Sequence, residues 1–105
     1  MSANPWAGEV ALTLNGEVLT ARLTLGALAE LEAALGTGTL VELVERFETG
    51  RHSARDVLAL VAAGLRGGGW RGTAADLLTA EIGGGPAEAA RVAARLLVRA
   101  FAPAE

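Results

Sequence analysis

The chain has 105 residues, no cysteine, one histidine (His52) and a formal net charge of −3. This excludes disulfides, thiolate catalysis, Cys-based zinc sites and paired-His zinc centres. All nine basic residues are Arg in an acidic chain, which leaves no broad positive field for nucleic acid. The hydrophobic share of 51% comes mainly from Ala and Leu, both strong helix formers, and no apolar run is long enough to span a membrane. The expectation is a cytoplasmic, non-enzymatic protein with no cofactor and no metal site.

Residues 1–8 (MSANPWAG) carry no period and read as a flexible leader with one large aromatic, Trp6. From Glu9 the pattern EVALTL alternates and puts Val10, Leu12 and Leu14 on one face; EVLTARL alternates again from Glu17 to Leu23. Asn15-Gly16 between two alternating runs predicts a β-hairpin over 9–23, because both residues tolerate the positive φ of a type I′ turn. A lone ribbon is marginal in water, so the elements that follow must cover its apolar face.

The period then lengthens to about 3.6 residues. Leu25, Leu28, Leu31 and Leu35 form a stripe behind the N-cap candidate Thr24, which predicts a helix over about 25–35 that ends at Gly36. Thr39 with Glu42 makes a capping box for a helix over about 39–48, where Leu40, Leu43, Val44 and Phe47 share a face and Glu42 pairs with Arg46 at i,i+4. Ser53 with Asp56 opens the most hydrophobic helix, about 54–66, whose Val57, Leu58, Val61 and Leu65 are apolar to both sides of one seam. It is placed at the centre of the core and stopped by Gly67-Gly68-Gly69. Thr73 with Asp76 opens a helix over about 74–82, and Pro86 starts a last one over about 86–101. Residues 102–105 read as a tail. The fold class is mostly α (α+β), a single domain over 9–101 with an N-terminal hairpin followed by about five short helices in a compact bundle.

No constellation carries chemistry. The stretch GLRGGGWRG lacks the GK[ST] ending of a phosphate loop, and EIGGGP follows a helix rather than a strand. His52 reads as an exposed loop residue, with Ser53 and Asp56 beside it committed to capping. Glu30 and Glu32 point away from each other on a helix. Partner-binding candidates are Arg91, Arg95 and Arg99, a basic ridge at i, i+4, i+8, and the loop tryptophans Trp6 and Trp70, because Trp and Arg are enriched at interface hot spots. The apolar seams on several short helices add self-association as an expectation.

At Arg22–Gly36 (RLTLGALAELEAALG), at Arg51–Gly69 (RHSARDVLALVAAGLRGGG) and in the opening NPWAGEVALTLNG, the sequence resembles the small proteins encoded in the tail-gene region of bacterial gene transfer agents, which are similar to phage tail assembly chaperones. The resemblance runs from Asn4 to about Phe101 and rests on structural features, a hairpin, a leucine stripe and a capped helix. It implies a chaperone that holds the tape measure protein soluble while the tail tube forms, with the tail tube protein as a further partner and no nucleic acid or membrane. Two alternatives stand beside it: a structural tail component retained in the particle, and a small DNA-binding regulator that uses the second and third helices as a helix-turn-helix. Tube subunits usually rely on more strand than one hairpin supplies, and the acidic balance opposes DNA binding.

Overall fold

The computed structural model describes residues 8–36 and 39–101. The leader up to residue 7, including Trp6, and the tail over 102–105 therefore lie outside the described residues. An antiparallel hairpin, β1 (Val10–Leu14) and β2 (Glu17–Ala21), is followed by α1 (Leu25–Leu35), α2 (Leu40–Glu48), α3 (Ala54–Gly67), α4 (Ala74–Leu77) and α5 (Gly85–Phe101).

The hairpin follows from its turn chemistry. Asn15 and Gly16 both have positive φ, at 50° and 82°, and they fix the register Leu14↔Glu17, Leu12↔Leu19, Val10↔Ala21. Val10, Leu12, Leu14 and Ala21 are buried on the inner face, with β2 packed on α3 and β1 on α5. The starts of α1, α2 and α3 are capped as their sequences dictate. Thr24 Oγ1 accepts from the Ala27 amide at 3.0 Å, Thr39 Oγ1 from the Glu42 amide at 3.1 Å, and Ser53 Oγ from the Asp56 amide at 3.1 Å.

Helix α3 is the axis of the core. Leu60, Val61, Ala62, Ala63 and Leu65 are buried, and α1, α4, α5 and β2 all pack on it. Its contact with β2 is a backbone approach. The Arg22 amide donates to the Gly64 carbonyl at 2.8 Å, and a Cβ added at Gly67 or Gly68 would collide with the carbonyl oxygens of Arg22 and Thr20. The glycines after Leu65 therefore do more than stop the helix, because they let the ribbon lie against it.

Three expectations change in detail. Leu25 is 85% exposed, because the buried face of α1 runs through Ala27 and Leu31 and leaves the first residue of the stripe outside. Helix α4 stops at Leu77 instead of reaching Ile82. The residues that would have continued it serve the hairpin: Asn15 N–H donates to the Glu81 carbonyl at 2.7 Å, Glu81 N–H donates to Asn15 Oδ1 at 2.9 Å, and Gly83 N–H donates to the Thr13 carbonyl at 2.9 Å. Leu14 and Ile82 face each other across this one-residue bridge. Finally, Arg46 spends its guanidinium on Asp56 of α3, the next helix, in two side-chain hydrogen bonds.

Candidate partner-binding groove

The end of α4 borders an apolar groove on the surface. Because the chain leaves the helix at Leu77, turns through Leu78–Thr79 and joins the hairpin at Ile82, α4 does not close over the apolar side of α3. An open groove of about 420 Å³ remains, walled by Val57, Leu58 and Val61 of α3, Leu77 and Leu78 at the end of α4, Ile82, and Pro86 and Ala89 at the start of α5. Its volume falls within the range of roughly 300–1,000 Å³ that holds ligands and inserted side chains. No charged residue lines it. Leu78 stands at the lip, 70% exposed, directly after a short helix held by the Thr73 amide, which donates to the Asp76 carboxylate at 2.8 Å. A large exposed aliphatic beside an uncharged trough makes this a candidate contact surface.

The basic ridge is not uniform. Arg91 and Arg95 converge on Glu88, at 3.0 and 3.5 Å, which relieves the repulsion of like charges one turn apart. Arg99 leaves the ridge: its guanidinium donates to the Glu9 carbonyl at 2.7 Å and ties the end of α5 to the entry of β1. On the same flank Val98 is 65% exposed and Phe101 47% exposed.

Trp70 is half-buried against the core, and the loop folds tightly over it, since a Cβ at Gly72 would collide with the indole. Arg66 fixes that loop by donating to the Gly72 carbonyl at 2.8 Å, and it pairs with Glu30 of α1 at 2.6 Å. Trp70 thus forms one wall of a polar cavity beside Arg71 and the start of α1. His52 is not an exposed loop residue. It is half-buried and stacks on Phe47 with ring centroids 4.3 Å apart and planes 7° from parallel. Its Nδ1 is buried without a hydrogen-bond partner among the described residues, which fits a ring held by packing.

Among the described residues there is no cluster of His, Cys, Asp or Glu able to hold a metal ion, and no helix is long and apolar enough to cross a membrane. The family described as "Phage tail tube protein, GTA-gp10" matches residues 7–103. The chain belongs to this family of phage and gene transfer agent tail proteins. No curated protein and no solved structure matches it. Membership reaches the tail family and stops there; it does not carry the chaperone relationship implied by the sequence resemblance.

The groove is a surface that sequence reasoning missed. The signal was present in α3, whose Val57, Leu58 and Val61 are apolar over more of its circumference than one seam needs. Which of these faces would be left open depended on where α4 ended.

Proposed function

We propose that this tail-family protein is an assembly factor, a chaperone that shelters an apolar helical segment of the tape measure protein while the tail tube forms. The observation that carries this reading is the groove between α3, α4 and α5, an uncharged trough of about 420 Å³ with Leu78 at its lip. An amphipathic helix presents apolar side chains at i, i+3, i+4 and i+7, and a trough of this kind accepts one such ridge. The role needs no catalytic residue. Co-expression tests it: the tape measure protein is expected to stay soluble and co-purify with the wild-type chain, and to precipitate with Leu78→Asp. Equal solubility with and without the chain would overturn the reading.

A structural tail component is the second reading, favoured by the family's description as a tail tube protein. Against it, the described residues hold one two-stranded sheet, a small basis for a ring built by strand pairing. Quantitative mass spectrometry of purified particles separates the two. A chaperone is absent or present in traces, whereas a structural component is stoichiometric with the other tail proteins.

A further inference from the structure

We infer that residues 73–80 form a flap, hung between two fixed posts, which swings off α3 while the rest of the molecule stays folded and so opens the groove into a longer apolar cleft. The first post precedes the segment: the Trp70 amide donates to the Leu65 carbonyl at 2.9 Å, and Arg66 donates to the Gly72 carbonyl at 2.8 Å. The second follows it, in the paired bonds of Asn15 with Glu81 and the bond from the Gly83 amide to the Thr13 carbonyl.

Between the posts the attachment differs in kind. Thr73 N–H and Thr73 Oγ1 both donate to Asp76 Oδ2, the Asp76 amide donates to the Thr73 carbonyl, the Leu78 amide to the Ala75 carbonyl and the Ala80 amide to the Leu77 carbonyl. Each of these bonds begins and ends inside the segment, so none ties it to α3. Residues 73–76, Leu78 and Thr79 are exposed and Ala80 is half-buried, which leaves Leu77, 6% exposed, as the one buried anchor. A stretch held by one buried apolar side chain, with no hydrogen bond to its surroundings, belongs to the low end of local stability. It opens as a unit because its own bonds move with it.

Opening changes the groove. Leu77 and Val61 are both buried, and both line it. When Leu77 leaves, the face of α3 at Val61 is uncovered and the trough continues into the place that Leu77 held. A side chain of an incoming helix fits there, which makes Leu77 a plug that a partner displaces. That use of the cleft rests on the proposed function, whereas the opening is a property of the chain alone.

Two measurements on the purified chain test the opening. In the wild type, hydrogen exchange corrected for intrinsic rates is expected to be about tenfold or more faster at the Asp76, Leu78 and Ala80 amides than at Glu81 and Gly83. Low urea should leave the faster rates unchanged, because local opening exposes little surface. The chain has no cysteine, so Leu77→Cys introduces a single thiol. Under native conditions it is expected to react with an aromatic disulfide reagent about tenfold or more faster than the thiol of Ala93→Cys, a buried reference in α5. Thermal melts check that both variants fold. Equal exchange across the five amides overturns the inference, since the segment then moves with its posts. So does a Leu77→Cys thiol no more reactive than that of Ala93→Cys, with the same rise in urea. Tape measure solubility enters neither measurement, so the flap and the proposed function can each fail without the other.

Discussion

Arg46 of α2 grips the buried Asp56 of α3 in a two-pronged pair, Nε to Oδ2 at 2.9 Å and Nη2 to Oδ1 at 3.0 Å. The same carboxylate accepts the Ser53 amide at 2.9 Å and closes the capping box of α3. One side chain thus starts the central helix and fastens the preceding one to it. Burial alone pushes the Asp56 carboxyl up, but the hydrogen bonds from Arg46 and Ser53 and the guanidinium charge outweigh it and hold it below its ordinary value.

The lowered carboxyl has a definite consequence for acid stability. A group whose folded pKa is depressed contributes stability above its unfolded value, and that contribution is lost as pH falls through the folded one. The contribution of Asp56 is therefore complete at neutral pH and disappears below its ordinary value of 3.8. Asp56→Asn is expected to cost about 2 kcal/mol at pH 7, combining a weakened cap with a broken charge-assisted pair. Urea titrations from pH 7 down to about 3 should show the gap between wild type and variant narrowing below about pH 4. A gap that stays constant with pH would show that the cost is not ionic.

The close approach of α3 to the ribbon sets an order between two substitutions. Alanine at Gly64 would bring its Cβ to 2.6 Å from Leu96 Cδ1, the far end of a side chain that has some freedom to move. At Gly67 the obstacle is the Arg22 carbonyl, which is backbone and cannot yield without moving β2. Gly→Ala in a helix ordinarily gains about 1 kcal/mol. Here Gly64→Ala is expected to cost about 1–2 kcal/mol net, and Gly67→Ala more, in the manner of overpacked cores. Chemical denaturation that ranked them in reverse would contradict the contact.

Asn15 serves the turn in two ways that can be separated. Asn15→Gly keeps the positive φ but loses the side-chain oxygen that accepts the Glu81 amide, and it is expected to cost about 1 kcal/mol. Asn15→Ala loses both and should cost about 1 kcal/mol more, because Ala is strained where φ is positive. Hydrogen exchange at the Glu81 amide reads the lost bond directly, and it should speed up in both variants.

Arg99 and its two neighbours on the ridge should respond differently to substitution. Arg99→Ala removes a half-buried bond to the Glu9 carbonyl and is expected to lower stability by about 1 kcal/mol. Arg91→Ala and Arg95→Ala break solvent-exposed pairs and should each change stability by less than about 0.5 kcal/mol. A loss of partner binding in the latter two, measured by pull-down, then reports on the surface itself, whereas a loss in Arg99→Ala has to be weighed against its melting temperature.

Local chemistry was readable from the sequence, and choices between distant partners were not. The turn at Asn15-Gly16 and the caps at Thr24, Thr39 and Ser53 depend on residues within three positions of one another, so their spacing is enough. Arg46 had a legible partner in Glu42 at i,i+4 and took Asp56 instead, because a buried carboxylate that also caps a helix holds a guanidinium better than an exposed one does. Leu78 and Ile82 continued a helical pattern that was overridden by hydrogen bonds of Glu81 with Asn15 and of the Gly83 amide to the Thr13 carbonyl, far away in the chain. The groove inherits that uncertainty. Its α3 wall was visible as surplus apolar surface, but its opening was set by a tertiary contact. Of the candidate contact residues, Arg99 and Trp70 proved to be tied into the fold, and nothing in their spacing distinguished them from Arg91 and Arg95.

The tie between Asn15 and Glu81 also bears on how the chain is made. The two residues are 66 positions apart, and Glu9 and Arg99 are 90 apart. At ribosomal speeds of about 5–20 residues per second, the first strands wait roughly 3–13 s for the segment that clamps their turn. During that interval Val10, Leu12 and Leu14 face water on a nascent ribbon whose edge is open. The turn at Asn15 is therefore clamped only once the chain has been made as far as Glu81, and the entry of β1 only once it reaches Arg99.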